Sequence, residues 1–390
     1  MTWCDRWDFN WSNDLLEIKK LARSFAKKEV APLAKKIDEE HSLPKELLKK
    51  LAEIGFFGIF VPSQFNGSDL SHLAYCVIIE ELAAVCASTA IVVSAHNSLA
   101  VWPILTYGTQ EQKEKFLKPL ASGEKIGCFA LSEPGTGSDA ASLCCQVKIE
   151  GDKFIINGTK NWITNAPIAD VCVLFATKDK SSGHKGVMAF VHPLNLKGIT
   201  IGKPENKLGI CGSPTSSISY DNVVLTKENL LSREEKGFKI AMNTLNGGRI
   251  GVAAQALGIA RASINAALSY GTERKTFNTA IVNHQLIQDY LAQMLTKYLS
   301  ARLLTHTAAK RKDKGLEHII ESSLAKLSAA KAAMYCSDKA LQIHGGYGYV
   351  KEYDVERFYR DAKITEIYEG TSEIQKIVIA KRLVDIFLNS

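Results

Sequence analysis

Most of the signals that would identify a function at sight are missing from this chain of 390 residues. Proline is scarce, 10 residues against 27 glycines, and the 46% apolar and 23% charged content is ordinary globular composition. That excludes disordered, collagenous and disulfide-scaffold classes. The nine cysteines form no Cys-x-x-Cys, only the adjacent pair Cys144 and Cys145. His284 and His344 have no partner at metal spacing, so no metal site is expected. Cys86, Cys128 and Cys172 lie inside apolar runs, where a free thiol acts as a small hydrophobe, which points to a reducing compartment. No P-loop, Gly-x-Ser-x-Gly elbow, dinucleotide fingerprint or internal repeat is present. Nor is there a block of one charge. Lys plus Arg total 48 and Asp plus Glu 41, a net +7 spread along the chain. Such a scattered excess suits phosphate-bearing small molecules without requiring nucleic acid. The start shows no apolar core followed by a cleavage site, so no presequence is visible. One stretch, 82–110, lacks Asp, Glu, Lys and Arg. Its apolar part, 82–95, falls short of the ~20 residues a spanning helix needs and should break at His96-Asn97-Ser98. It reads as a helix buried in protein, with no integral membrane segment.

What is present is a change of period along the chain. Apolar residues recur at helical spacing through Leu15, Ile18, Leu21, Ala22 and Phe25, then Leu47, Leu48, Leu51 and Ile54. Ser42 with Pro44 predicts a capped helix start. Trp3, Trp7 and Trp11 fall on one helical face and should pack against this first domain. From about Ile126 to Leu231 short apolar runs alternate with turn residues, predicting a β-barrel or sandwich and excluding a Rossmann sheet. Long helical segments return over 237–274, 283–312 and 317–345, with a last helix at 372–388, and such helices pack as a bundle. The fold class is α+β multidomain: an all-α domain over 1–125, a β domain over 126–231 and a four-helix bundle over 232–390.

Three constellations carry chemistry. In Phe129-Ala-Leu131-Ser132-Glu133-Pro134-Gly135-Thr136-Gly137-Ser138 an apolar strand runs into a loop whose glycines let backbone N–H groups approach a ligand; a polar surface turn is the competing reading. In Trp162-Ile163-Thr164 the two-residue period puts Trp162 and Thr164 on one strand face, as an aromatic wall beside a hydrogen-bonding hydroxyl, or else with the indole in the core. In Glu366-Ile-Tyr-Glu369-Gly370-Thr371-Ser372-Glu373-Ile-Gln375, Ser372 with Gln375 forms a capping-box pattern. Glu369 then sits just ahead of a helix start. Either it or Glu366 could serve as a general base, and position does not choose between them.

Together, and across an α, β, α chain of this length, these motifs resemble the acyl-CoA dehydrogenase family. The chain is most similar to the short-chain, butyryl-CoA type in Cys128-Phe-Ala-Leu-Ser-Glu-Pro-Gly, Lys207-Leu-Gly-Ile, Gly248-Arg-Ile-Gly251 and Arg360-Asp through Gln375. The resemblance implies FAD-dependent oxidation of the Cα–Cβ bond of an acyl-CoA to a trans-2-enoyl-CoA. Electrons would pass to an electron-transfer flavoprotein, and the protein would be a homotetramer, a dimer of dimers. It implies a cytoplasmic protein if bacterial and a mitochondrial matrix protein if eukaryotic.

The same resemblance makes Glu369, in the Tyr-Glu-Gly-Thr motif, the catalytic base. Phe129, Leu131, Ser132, Gly137 and Ser138 match flavin contacts, Ser138 also reaching CoA. Trp162, Ile163 and Thr164 match residues that cover the ring and bond its N5. Arg274, Phe277, Gln285, Gln342, Gly345 and Gly346 match positions holding the adenosine diphosphate half of FAD, partly from a neighbouring subunit. Asn246, Arg249 and Gly370 match acyl-CoA contacts, and Thr371 and Glu373 flavin contacts. The base residue's N–H and a flavin hydroxyl would stabilise the developing enolate. Burial under the acyl chain should raise the Glu369 pKa while the following helix start lowers it. Members that place the base on a bundle helix do so one residue ahead of Arg249; position 248 is glycine here. The chain departs from the family pattern at Asn278, His284, Cys211 and Phe65-Asn66. The alternatives are a branched, aromatic or alicyclic acyl substrate, or a non-catalytic flavin-binding or assembly protein.

Overall fold

The computed structural model describes residues 3–232 and 236–389. The N-terminal third holds α1 (Asn13–Phe25), α2 (Ala34–Glu40), α3 (Lys45–Glu53), α4 (His72–Ala83) and α5 (Ala87–Tyr107). Ser12 caps α1 by accepting from Leu15 N. The start of α3 departs from expectation: Pro44 occupies the N-cap and no side chain caps it.

The charge-free stretch also behaves differently from its sequence reading. No break occurs at His96-Asn97-Ser98; the helix continues there as a π-helical segment, His96–Val101. All three polar residues are buried and bonded instead of exposed. Asn97 donates to Phe56 O and Val93 O and accepts from Ile59 N, and Ser98 donates to Ser94 O. His96 Nδ1 accepts from Gly127 N at 3.0 Å, which ties α5 to the β domain. Although α5 is long and apolar enough to cross a membrane, 83% of its apolar window is buried inside the fold.

The central region holds β1 (Gly127–Ala130), β2 (Gln146–Glu150), β3 (Lys153–Thr164), β4 (Val171–Thr177), β5 (Val187–Pro193), β6 (Ile199–Ile201) and β7 (Thr215–Thr226). They form one curled seven-stranded sheet, ordered β1-β4-β2-β3-β7-β6, with β5 on β4. β1 and β4 pair in parallel, and β2, β3 and β7 follow as antiparallel neighbours. A turn at Gly151-Asp152 joins β2 to β3, and Gly151 has φ +59°. Cys128 and Cys172 lie opposite each other in the β core and Cys86 is buried, as their apolar settings predict.

The bundle consists of α6 (Gly237–Glu273), α7 (Gln285–Asp313), α8 (Ile319–His344) and α10 (Ser372–Leu388), with α9 (Val355–Ile364) before the last. Small residues let these helices approach closely: Ala325, Ala329, Ala332 and Ala333 of α8 and Ala253, Ala256 and Ala260 of α6 are all buried. A Cβ at Gly258 of α6 would stand 2.5 Å from the Ala83 Cβ of α4.

A buried ion network fastens the N-terminal third to the bundle. Arg261 of α6 grips Glu81 of α4 with two bonds of 2.7 and 2.8 Å, and Arg302 of α7 meets Asp8 at 2.8 Å. Removing one member of such a buried set costs about 3–5 kcal/mol, because its partner is left desolvated and unpaired. The early tryptophans serve this seam and do not form one face. Trp3 lies edge-on to Tyr298 of α7, Trp11 stands beside His306 and under the Arg302 guanidinium, and Trp7 is 41% exposed. Trp3 and Trp11 therefore pack across to the bundle, and Trp7 does not join them.

Candidate active site

The loop between α9 and α10 carries the feature that organises the site. Glu369 has φ +53° and Gly370 φ +93°, two consecutive left-handed residues. For glutamate this conformation is uncommon and costs of the order of 1 kcal/mol. Thr371, and not Ser372, caps α10 by accepting from Ile374 N at 3.3 Å. Gln375 does not close a capping box; its Nε2 donates to Gly370 O at 2.9 Å and to Glu369 O at 3.4 Å. On the inner side Lys326 Nζ of α8 donates to the same Gly370 O at 2.8 Å.

The turn drives the Glu369 carboxylate into the seam between α4, α5 and α6. Oε2 is sealed from solvent and has no hydrogen-bond partner among the described residues. Room for it exists only because position 248 is glycine: a Cβ there would lie 1.9 Å from Oε2 and 2.9 Å from Leu99 Cδ2. One turn on, a Cβ at Gly251 would meet Tyr75 Oη at 2.2 Å. Tyr75 itself is bonded to Ser94 Oγ at 2.6 Å. Desolvation raises the Glu369 pKa from 4.5 to about 7, against the pull of Lys326 and then Arg249. The downward pull comes from these two cations. The rise also needs no bound ligand. Burial lowers the Lys326 pKa to about 8, with Glu369 opposing.

Asn246 and Arg249 sit one turn apart on α6, both buried, and Arg249 Nη1 donates to Asn246 Oδ1 at 2.8 Å and Ser323 Oγ at 3.2 Å. Arg249 Nε is buried without a partner among the described residues. By contrast Glu366, the other acid that position allowed, takes a surface ion pair with Lys363 at 2.7 Å.

A second group forms at the mouth of the β domain. Phe129 and Leu131 are buried, Ser132 is half-buried, and Ser132 O accepts from Asn161 N at 2.9 Å, which sets that loop beside Trp162. A buried ion pair pins the loop: Lys160 Nζ lies 2.7 Å from Glu133 Oε1 and 2.9 Å from Leu131 O. The Glu133 carboxylate also takes the N–H groups of Cys144 and Cys145. Trp162 has φ +60° and is 60% exposed, so it is not a core tryptophan. A register shift between Lys160 and Ile163 aims it outward, Ile163 turns into the core, and Thr164 is half-buried. Gly135 and Gly137 have open space on their side-chain side, Thr136 Oγ1 is a buried atom without a partner among the described residues, and Ser138 is exposed. Asn165 Nδ2 donates to Val92 O of α5 at 3.1 Å, which fixes this mouth relative to Leu99 and the Glu369 seam.

The third group is a cavity of about 690 Å³ at the far end of α6, lined by Arg274, Gly345, Gly346 and three tyrosines, Tyr270, Tyr347 and Tyr353. Gly345 and Gly346 face open space. Gln285 and Gln342 are exposed and do not line it. Phe277 is 93% exposed, on a tight turn where it and Asn278 both have positive φ. Glu373 is also exposed. His284 Nε2 pairs with Thr276 Oγ1 at 2.9 Å, holding that turn. Cys211 packs against Arg360, which binds Asp38 and Glu356.

An open-faced indole beside a glycine-rich loop and an unsatisfied hydroxyl suits a flat ring, and the separate arginine and glycine cavity suits phosphates. Sequence reasoning passed over Lys326, Tyr75, Leu99 and the Glu133–Lys160 pair. Lys326 alone left a trace, as a single cation on the alanine-rich face of α8.

Residues 12–124, 128–223 and 235–384 match the family descriptions "Acyl-CoA dehydrogenase, N-terminal domain", "middle domain" and "C-terminal domain". The short-chain specific acyl-CoA dehydrogenase, mitochondrial, of Mus musculus is 48% identical over 94% of this chain and 89% of its own length. A 3-(aryl)acrylate reductase of Clostridium sporogenes is 48% identical over 94% and 97%. The butyryl-CoA dehydrogenase structure from Megasphaera elsdenii superposes with TM-score 0.95 at 42% identity, covering 97% of this chain and 100% of that one. A structure reported with the electron transferring flavoprotein of Acidaminococcus fermentans gives TM-score 0.94 at 43% identity, covering 96% and 99%.

Proposed function

The chain belongs to the acyl-CoA dehydrogenase family of FAD-dependent oxidoreductases, and on that premise we propose that it dehydrogenates a short-chain acyl-CoA to the trans-2-enoyl-CoA with Glu369 as base. The observation that carries this reading is the Glu369 carboxylate itself: partnerless at Oε2, enclosed against Gly248, and poised at a pKa of about 7. A base tuned near operating pH is half available and still basic enough to take a weakly acidic α-proton. The strained turn aims it, and Leu99 and Tyr75 exclude water around it. Asn246 and Arg249, on the adjacent turn of α6, orient the acyl-CoA. FAD, when bound, accepts the β-hydride. Ser132, Trp162 and Thr164 would hold its ring end, and Arg274, Gly345 and Gly346 would hold a phosphate end, in part for the flavin of a neighbouring subunit.

The domain division at 1–125, 126–231 and 232–390 follows the change from helix to sheet and back. Electrons leave to an electron-transfer flavoprotein, a reading supported by the similarity to the Acidaminococcus structure. The exposed Leu383, Val384, Ile386, Phe387 and Leu388 of α10 support a homotetramer, which would cover them. A mitochondrial matrix or bacterial cytoplasmic location goes with this chemistry.

The test is anaerobic addition of butyryl-CoA to the flavin-loaded protein. Flavin absorbance should bleach, and Glu369→Gln should bind the ligand without bleaching. Bleaching by that variant at the wild-type rate would overturn the assignment. An aromatic acyl chain is the second reading, favoured by the equal identity to the arylacrylate reductase; faster bleaching by 3-phenylpropionyl-CoA than by butyryl-CoA would select it.

A further inference from the structure

We propose that Lys326 is a positioning residue for the base, its buried ammonium clamping the Glu369–Gly370 turn and favouring the ionised carboxylate. The proposal rests on the reading that Glu369 removes the α-proton.

The geometry has two parts. The left-handed pair Glu369 and Gly370 needs outside donors to hold it, and Gly370 O receives two, from Lys326 Nζ at 2.8 Å and Gln375 Nε2 at 2.9 Å. One neutral amide already satisfies this carbonyl, so hydrogen bonding alone does not call for a charge. Yet Lys326 is fully buried, 0% exposed, between alanines of α8, where an ammonium is costly to desolvate. What repays it is the carboxylate on the same turn.

The charged groups around the pair come from every neighbouring element. Lys326 feels Glu369, Arg249 of α6, Glu366 of the loop and Glu373 of α10, in that order. Glu369 feels Lys326 before Arg249. Tyr75 of α4 and Tyr368 beside the base both feel Glu369, and burial holds both phenols neutral at working pH. Arg249 is occupied by Asn246 and Ser323. Lys326 is thus the cation whose hydrogen bond, to Gly370 O, holds the turn that carries the base. It lowers the pH at which the carboxylate becomes available, and it fixes where the carboxylate points.

Three variants separate charge from hydrogen bonding. Lys326→Gln keeps a donor for Gly370 O and removes the charge, Lys326→Arg keeps the charge, and Gln375→Leu loosens the turn without altering charge. The readouts are the pH profile of kcat/KM and, independently, deuterium uptake at Cα of butyryl-CoA in D2O. In Lys326→Gln the acidic limb should move up by about one pH unit, so that the rate at pH 6 falls about tenfold while the rate at pH 9 stays within about twofold. Lys326→Arg should leave the limb in place, and Gln375→Leu should lower kcat without moving it. An unmoved limb in Lys326→Gln, or an equal movement in Gln375→Leu, would overturn the proposal. Failure of Lys326→Gln to fold would overturn it too, by showing that the charge serves the scaffold. A wild-type protein that neither bleaches nor exchanges would instead count against the reading of Glu369.

Discussion

Burying the base unpaired should cost the protein stability, and the cost can be worked out from its titration. The folded-state pKa of Glu369 is about 7 against an ordinary 4.5, a rise of about 2.5 units. At 1.36 kcal/mol per unit, ionising it in the folded state costs about 3 kcal/mol more than ionising it in the unfolded chain. Because the folded pKa is the higher one, the folded state holds the proton between pH 4.5 and 7 while the unfolded chain has released it. Stability from this group is therefore fully present below about pH 4.5 and is lost as pH rises through 7. Glu369→Gln cannot ionise and escapes the loss. Denaturant unfolding of the flavin-loaded proteins without substrate should show the variant and the wild type close at pH 5, and the variant more stable by about 3 kcal/mol at pH 8.5. The variant would be inactive and more stable at once. A stability difference that does not change between these two pH values would refute the claim that Glu369 is desolvated in the resting site.

Two further substitutions probe the supports of the site. Gly248→Ala places a Cβ 1.9 Å from Glu369 Oε2, so the carboxylate must swing aside; turnover should fall about a hundredfold, as for a 1 Å misplacement, while helix propensity keeps the melting temperature level or raises it. Lys160→Met strands the buried Glu133 carboxylate and should cost about 3–5 kcal/mol in thermal or denaturant unfolding, with most of the loss recovered when Glu133→Gln is added.

Much of this was legible in one dimension, because it depends on local chemistry. The change from a helical to a two-residue period and back separates the sheet from the two helical regions. The helix ends at Glu273, His344 and Ser372 follow from glycine, hydroxyl and turn residues in their immediate neighbourhood. The two longest-range misreadings arose where distant partners overrode a local signal. His96-Asn97-Ser98 looks like a helix break until Phe56, Leu120 and Gly127 supply their hydrogen bonds. Trp3 and Trp11 look like one face of a helix until Tyr298 and Arg302 of α7 claim them.

The site divides the same way. The sequence by itself determined that a glycine-rich loop follows a buried strand, that Trp162 and Thr164 share a strand, and that two acids precede a helix start. It could not rank those acids, since each is a glutamate in the same short loop. Only the tertiary structure separated them, by giving Glu366 a lysine at the surface and pressing Glu369 against a helix that, at Gly248, has no side chain. The physical reason is that a pKa is set by what surrounds a carboxylate, and the groups that surround Glu369 come from α6 and α8, far away in the chain.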